Sequence, residues 1–264
     1  MSAALYVIAH ATPAWSTETL GRATNKTIAA QWNLCRQIML EQVEHVVCEI
    51  NPRLYRIDLH WKDVAGSPLG TLGAVERELE AAGRQPLVTM NAGMYEADLS
   101  PVGLFIAGGK TLHPANMRDG KGNFYLKPNG VFYMKGHKAG VMETRTFLKS
   151  RYKPDIATQS GPMLVIKGRI HPRFEREGMS RKIRNGVGVR RDGTIVLAIS
   201  RQGISFGGFA RLFRDTLKCP DALYLDGSIS RISVNGEAKN AGTVQSLLVS
   251  EKRIGTALSV SKLR

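Results

Sequence analysis

Hydrophobic residues recur with the spacing of an α-helix in three parts of the sequence. Residues 27–47 carry large apolar side chains at roughly helical intervals. Residues 71–83 place apolar residues on one helical face, with Gly83 as the stop signal. Ser205 is a good N-cap for residues 206–218, whose phenylalanines line up along one side. The pattern predicts a helix in each part.

The rest of the chain is dominated by short apolar runs between turn residues. Residues 54–61 alternate between apolar and polar, as a half-buried strand does. Other runs read as strands because Gly, Pro and Asn turns bound them: PLVTM, VGLFI, NFYL, VFYM, PMLVI, GVGV, TIVLAIS, ALYL and SLLV. Many hairpin-sized strands with few helices predict an α+β fold, a single domain of mixed, largely antiparallel sheets with an N-terminal helical extension. A doubly wound parallel fold would need a helix between most strands.

Length and composition are those of an ordinary globular protein. The chain has 264 residues, 43% hydrophobic and 22% charged, and no apolar run approaches the ~18 residues of a membrane helix. We divide it into an N-terminal extension (1–47), one domain (48–250) and a basic C-terminal tail (251–264). The first residues hold a short apolar run with no Lys or Arg before it, a poor secretory signal.

Positive charge is concentrated in the middle of the chain. The formal net charge is +15, and residues 135–191 alone carry 15 basic and 4 acidic side chains, a net of +11. Such a field attracts polyanions in general, including nucleic acid, anionic polymers and phosphorylated substrates. A salt-sensitive, nonspecific affinity for polyanions is therefore expected from charge alone.

Polar side chains and glycines lie beside five of the predicted strands. The residues in these corners are Asn91, Lys127, Thr158, Gln159, Ser160, Arg181, Arg184, Asn185, Asp226, Gly227 and Ser228. Each corner by itself is typical of a turn, because Asp, Asn and Ser bond their own backbone. Five together, rich in amides, hydroxyls and guanidinium groups, predict loops that converge on a polar ligand.

The sequence does not contain several well-defined catalytic and ligand-binding motifs. The segment AGGKT lacks the first glycine of a P-loop, since Leu104 stands there. Ser228 has no G-x-S-x-G around it, which weakens a serine-hydrolase interpretation. The six histidines show no zinc-binding spacing. We predict no cofactor, and leave open whether a divalent cation takes part.

The same corners resemble a known family. The segments MNAGMY, SPVGLFIAGGK, GNFYLKPNGVFY, ATQSGPMLVIKGRIHPRF, SRKIRNGVGV and ALYLDGSISR are similar to the bacterial phosphodiester glycosidases, relatives of the animal uncovering enzyme that removes N-acetylglucosamine from capped mannose 6-phosphate. The resemblance covers roughly residues 48–233. It implies a mixed α/β fold, hydrolysis of a sugar 1-phosphodiester to free sugar and phosphomonoester, and a periplasmic or exported protein.

Such a substrate needs few carboxylates, because a phosphomonoester already leaves readily near neutral pH. The site needs positive charge on the departing phosphate and a carboxylate for the oxocarbenium-like centre or its attacking water. We assign Asp226, with Asn91 and Arg184, to catalysis; Glu143 is a weaker acid candidate. The predicted substrate-binding residues are Lys127, Thr158, Gln159, Ser160, Arg181, Asn185, Gly227 and Ser228. The cations among them would hold phosphate.

A binding protein is the competing class. The same fold without the reaction could be a basic module for nucleic acid or an envelope glycan, and it explains the basic segment equally well. It does not explain an acid among those cations. Asp226 therefore favours the enzyme, with a sugar phosphate or glycan as substrate.

The family resemblance also includes cysteines at positions 48 and 219. We expect Cys48 and Cys219 to be neighbours in space and Cys35 to stay outside the pair. A bridge would imply an oxidising compartment. The alternative is two buried thiols that merely pack.

Overall fold

The computed structural model describes residues 34–176, 178–227, 229–234 and 253–263. In chain order the strands of this part are β1 (Cys35–Leu40), β2 (Val43–Ile50), β3 (Tyr55–His60), β4 (Pro86–Asn91), β5 (Phe105–Ala107), β6 (Lys110–His113), β7 (Gly130–Lys135), β8 (Lys138–Glu143), β9 (Ile156–Ser160), β10 (Met163–Ile166), β11 (Arg169–Ile170), β12 (Asn185–Val189), β13 (Ile195–Ser200), β14 (Asp221–Asp226), β15 (Ile232–Val234) and β16 (Ala257–Lys262).

These strands form three antiparallel sheets. The largest has seven strands in the order β1-β2-β13-β12-β14-β10-β11. A second has four strands, β15-β4-β16-β3, and a third has five, β6-β5-β9-β7-β8. Adjacent strands in each sheet run antiparallel. The predicted α+β fold of largely antiparallel sheets is confirmed.

Short helices connect the sheets. They are α1 (Leu72–Ala81), α2 (Thr144–Ser150) and α3 (Phe206–Arg211), which continues as a π-helix (Leu212–Thr216), with a 3₁₀-helix at Asn123–Tyr125. Two predicted helices are confirmed: Thr71 and Ser205 cap α1 and α3 through their hydroxyls. The run NFYL, predicted as a strand, begins with the 3₁₀-helix instead. The predicted strand SLLV lies outside the described residues.

The predicted helix over residues 27–47 is wrong in its described part. Residues 35–40 and 43–50 form the hairpin β1–β2. Glu41 and Gln42 make its two-residue turn, with φ of 50° and 60°. Both central residues of a type I′ turn need positive φ, and the sequence signal for it is Asn-Gly or Asp-Gly. Because neither is present here, the hairpin has no turn signature in the sequence.

The predicted C-terminal tail contains a central strand. Strand β16, within residues 251–264, pairs with β3 on one side and with β4 on the other. Leu258 and Val260 are buried in the core. This part of the chain therefore completes a sheet.

The predicted cysteine pair is also wrong. Cys35 and Cys48 face each other across the β1–β2 ladder and form a disulfide, with Cα atoms 3.9 Å apart. Cys219 is a free, buried thiol, and burial raises its pKa to about 12. The hairpin puts Cys35 directly opposite Cys48, so Cys219 is left to pack.

The main core joins all three sheets. Residues such as Cys48, Met90 and Phe132, one from each sheet, belong to the same buried cluster. The opposite face of the seven-stranded sheet is covered by α3, whose Phe209 packs in a second cluster with Tyr224 of β14. Among the described residues, no helix is long and apolar enough to cross a membrane.

Candidate active site

Strand ends from all three sheets meet at one place. Asn91 ends β4 in the four-stranded sheet, and Ser160 ends β9 in the five-stranded sheet. In the seven-stranded sheet Asn185 begins β12 and is the pairing partner of Asp226, the last residue of β14. The convergence predicted for these four corners from the sequence is therefore found in the fold.

Two asparagines hold Asp226. The Asn91 side-chain amide donates to the Asp226 carboxylate at 3.4 Å. The Asn185 amide donates to the Asn91 side-chain oxygen at 3.0 Å and to the Asn91 carbonyl at 2.8 Å. In return, the Asn185 side-chain oxygen accepts from the Asp226 backbone N–H at 2.9 Å. Asn91 and Asn185 are 1% and 0% exposed, so water does not compete for these hydrogen bonds. The bonds therefore hold Asp226 in position.

The backbone around Asp226 is fixed as well. Ser160 donates its hydroxyl to the Leu225 carbonyl at 2.8 Å, and Ser230 donates to the Asp226 carbonyl at 2.8 Å. The backbone N–H of Gly227 donates to the Asp226 carboxylate at 2.6 Å. These three hydrogen bonds hold the main chain on both sides of Asp226, so its carboxylate is fixed at the end of β14.

Glycine is required at position 227. A Cβ there would collide with the Tyr224 hydroxyl. The backbone of Gly227 thus packs closely against this tyrosine, and the substrate-binding role of Gly227 stays a prediction. Ser228, the other residue of the predicted DGS corner, lies outside the described residues.

Asp226 lines a cavity of about 470 Å³. One wall is the loop after β4 and the other is the segment that contains the 3₁₀-helix. Its polar lining residues are Tyr95, Glu96, Lys121, Asn123, Tyr125 and Asp226. A volume of this order fits a small organic ligand, and Asp226, itself 5% exposed, is the buried carboxylate within it.

Most residues that line the cavity walls are not among the site residues predicted from the sequence. Glu96 is a second carboxylate at the cavity, and Lys121 is the cation among the described lining residues. The segment MNAGMY ends with Tyr95, and Glu96 follows it directly in the sequence. Lys121 precedes the segment GNFYLKPNG, where Lys127 was chosen instead.

Burial and the nearby Asp226 carboxylate raise the pKa of two tyrosines, Tyr95 and Tyr224. Burial, followed by the nearby Asp226 carboxylate, raises the pKa of Tyr95. Burial also raises the pKa of Tyr224, and Asp226 adds to the effect while Arg184 opposes it. Both phenols therefore stay protonated, and the Tyr95 hydroxyl donates to the Arg253 carbonyl at 2.8 Å.

Arg184 is fully buried and does not line the cavity. Its guanidinium donates to the carbonyls of Ile204 and Ser180, both at 2.8 Å, and to the Tyr224 hydroxyl at 3.4 Å. It also stacks on Phe206, 3.6 Å from the ring centroid. Burial lowers its pKa, and Tyr224 opposes this shift. Arg184 thus contacts Tyr224, whose hydroxyl lies beside Gly227, and it does not contact the cavity itself.

The other predicted binding residues have protein partners. The Gln159 side chain accepts from the N–H groups of Leu104 and Asn116 at 3.0 and 2.9 Å. Thr158 is 2% exposed and packs against Gly93, two residues after Asn91. These two residues support the loops that surround the cavity and do not line it.

The predicted phosphate-binding cations lie outside the cavity. Lys127 donates to the Met117 carbonyl at 3.0 Å and pairs with Asp119 at 2.5 Å. Arg181 is exposed and donates to the Gly203 carbonyl at 3.4 Å. Glu143, the weaker acid candidate, caps α2 through the N–H groups of residues 145 and 146.

Metal ligation has no cluster to support it in the described part of the chain. No group of three or more His, Cys, Asp or Glu side chains there is placed to hold an ion. The expectation that no cofactor takes part stays a prediction.

Comparisons with known proteins agree with this architecture. The sequence profile of the phosphodiester glycosidase family (NAGPA) matches residues 85–261. The uncharacterized Escherichia coli K12 protein YigE is 38% identical over 189 residues, which are 72% of this chain and 74% of YigE.

A solved structure shares the fold. It is the catalytic domain of zebrafish N-acetylglucosamine-1-phosphodiester alpha-N-acetylglucosaminidase, auto-inhibited by its pro-peptide, which matches with a TM-score of 0.60 and 16% identity. The match covers 87% of this chain and 82% of that chain. On the extent of the profile match and the identity to YigE, the chain belongs to the phosphodiester glycosidase family.

Proposed function

We propose that this protein hydrolyses a sugar 1-phosphodiester to the free sugar and a phosphomonoester, with Asp226 as the catalytic carboxylate. The observation that carries the proposal is the position of Asp226, a buried carboxylate at the meeting point of three sheets that opens on a cavity of about 470 Å³. Membership of the phosphodiester glycosidase family supports the reaction class.

Asp226 acts on the sugar. When the bond between the anomeric carbon and the phosphate oxygen breaks, positive charge develops on the sugar ring. A carboxylate held by Asn91 and Gly227 stabilises that charge or takes the proton of the attacking water. Because both donors are already in place, the carboxylate has little reorganisation to undergo during the reaction.

Lys121 acts on the departing phosphate. It is exposed at the wall of the same cavity, so its ammonium can follow the phosphate as negative charge collects on it. A charge-assisted hydrogen bond to phosphate is about twice as strong as a neutral one. Lys121 therefore takes the role that the sequence analysis gave to Lys127, Arg181 and Arg184.

The sugar is of the N-acetylglucosamine type. This assignment rests on the structural neighbour, whose name states that it is an N-acetylglucosamine-1-phosphodiester glycosidase. Tyr95, Asn123 and Tyr125 supply hydroxyl and amide groups around the cavity, and these suit sugar hydroxyls. A non-catalytic module that binds an anionic polymer is the second candidate, favoured by the net charge of +15.

The reaction takes place in an oxidising compartment. The support for this part of the proposal is the Cys35–Cys48 disulfide, since structural disulfides persist mainly in exported proteins.

Nucleotide-linked N-acetylglucosamine provides a direct test, with free N-acetylglucosamine as the measured product. We expect the wild-type protein to release the sugar and Asp226→Asn to lose at least ~10²-fold in kcat, the low end for a positioned acid or base. Asp221→Asn is the matched control, because it makes the same change at the other end of β14. Equal loss in both variants, or full activity in Asp226→Asn, would contradict the role of Asp226.

A second measurement separates the enzyme from the binding module. The melting temperature of Asp226→Asn is compared with that of the wild type. A folded variant without turnover supports catalysis. A wild-type protein that binds the compound and releases no sugar, from this or from p-nitrophenyl-linked sugar phosphates, supports the binding module.

A further inference from the structure

A second cavity opens beside the seven-stranded sheet, away from Asp226. It has a volume of about 450 Å³, and its charged lining residues are Arg190, Arg191, Asp192, Arg214 and Lys218. They come from the turn that links β12 to β13 and from the segment around the end of the π-helix. We refer to this cavity as the basic cleft.

The cations of the basic cleft outnumber the acids that neutralise them. Arg190 is held by Glu49 at 2.8 Å and by the Leu217 carbonyl at 2.8 Å, but Glu49 is shared with Arg36. Arg214 pairs with its neighbour Asp215 at 2.6 Å. Arg190 and Arg214 thus each have a carboxylate partner, so the excess positive charge of the cleft comes from its other cations.

Two further cations have no ion pair within the described residues. These are Arg191 and Lys218, and both are exposed at the cleft. Asp192 accepts from the backbone N–H of Thr194 at 2.9 Å, a bond that lowers the pKa of its carboxylate, so Asp192 offsets one of the positive charges of the cleft. The cleft thus has two positioned arginines beside two unpaired cations, an arrangement that favours an anion.

The basic cleft is far from the candidate active site. Asn185 pairs with Asp226 at one end of β12, and Val189 pairs with Asp221 at the other. Strand β14 spans the distance between the two sites with six residues. The first and last residues of β14 are five steps of ~3.3 Å apart, about 17 Å, which is too far for one small sugar phosphate to contact both sites.

We propose that the basic cleft is a second binding site, which takes phosphate groups of an extended polyanion. Guanidinium groups bind phosphate through two parallel hydrogen bonds, and four of the lining side chains are Arg or Lys. Because Arg191 and Lys218 are exposed, a bound ligand can extend beyond the cleft, and four cations can contact more than one phosphate of a polymer. This site does not depend on the reaction at Asp226.

Calorimetry with short-chain inorganic polyphosphate tests the proposal on the full chain. The variant Arg191→Glu/Lys218→Glu reverses the two unpaired charges. The control Lys138→Glu/Lys149→Glu changes the net charge equally at exposed lysines of β8 and α2. We expect the cleft variant to bind at least about 10-fold more weakly, as the loss of charge-assisted contacts predicts, and the control to change little.

Four outcomes overturn the proposal. Equal weakening in both variants would assign the affinity to the overall charge. Equal binding of polyglutamate and polyphosphate by the wild type would remove the preference for phosphate. Loss of polyphosphate binding in Asp226→Asn would place the ligand in the other cavity. Orthophosphate, titrated in parallel, is expected to bind more weakly than the polymer, and equally tight binding would contradict an extended ligand.

Discussion

At the residue scale, amides build the candidate site. The side chains of Asn91 and Asn185 each donate and accept hydrogen bonds. Through these bonds they connect the ends of β4, β12 and β14. Removing one partner of such a buried pair is costly, because the other polar group is left without a hydrogen bond. We therefore expect both asparagines to act through Asp226, as positioning residues.

Arg184 is likewise a buried residue that supports the backbone near Asp226. Its guanidinium lies between Phe206 and Tyr224, and the Tyr224 hydroxyl it contacts lies against Gly227. A cation–π contact of a buried guanidinium is worth about 2 kcal/mol. Arg184 holds the underside of the turn that follows Asp226, and its burial prevents it from binding phosphate directly.

Lys121 should be the phosphate-binding cation. Lys121→Gln removes one charge-assisted hydrogen bond, worth about 1.5–3 kcal/mol, so kcat/KM for a small sugar 1-phosphodiester should fall by roughly 10- to 100-fold. Lys127→Gln is the matched control, because its ammonium already pairs with Asp119. A greater loss in Lys127→Gln than in Lys121→Gln would restore the assignment made from the sequence.

The sequence could predict where the site lies but not the direction of each side chain. The polar corners at strand ends that contain Asn91, Asn185 and Asp226 do lie together in the fold, while the roles of these residues stay predictions. Gln159 sits in an equally polar corner, yet its amide is used by two backbone N–H groups. Only tertiary structure decides whether such a residue lines a cavity or supports a loop.

At the element scale, the predictions failed where turn signals were absent. The hairpin β1–β2 turns at Glu41 and Gln42, which have positive φ without Gly or Asn, so its apolar residues were assigned to a helix. The run ALYL was predicted correctly because both faces of β14 are buried, Leu223 in one cluster and Tyr224 in the other. A continuous apolar run of this length is typical of such a strand.

The disulfide of this hairpin gives a measurable prediction. Denatured but unreduced protein should show one titratable thiol, that of Cys219, and reduced protein should show three. Reduction should lower the free energy of unfolding by about 3 kcal/mol, the loop-closure entropy for a short loop. The sequence separation here is 13 residues. Urea unfolding with and without reductant measures this difference.

Cys219→Ser is the control for the disulfide. It should remove the single thiol and leave the effect of reductant on unfolding unchanged. If Cys219→Ser instead abolished the effect of reductant, the bridge would involve Cys219, as the sequence analysis expected. Three titratable thiols before reduction would show that no bridge had formed.

At the scale of the whole molecule, the seven-stranded sheet separates two polar regions. One end carries the Asp226 cavity and the other carries the basic cleft. The core between them is formed by all three sheets. Part of the positive charge of the sequence is thus collected in the basic cleft. The sequence alone could not place Arg191 and Lys218 together, because they are far apart in the chain.

The two ends should therefore act independently. In Arg191→Glu/Lys218→Glu, kcat/KM for a small sugar 1-phosphodiester should stay within about twofold of the wild type at physiological salt. The physical reason is screening: the sites are about 17 Å apart, which is roughly two Debye lengths of ~8 Å. Lys138→Glu/Lys149→Glu again controls for net charge. A large loss of small-substrate turnover in the cleft variant alone would mean that the cleft contributes to the catalytic cavity. A loss that appears only with a phosphate-bearing polymer would instead show that the cleft holds the remote part of that substrate.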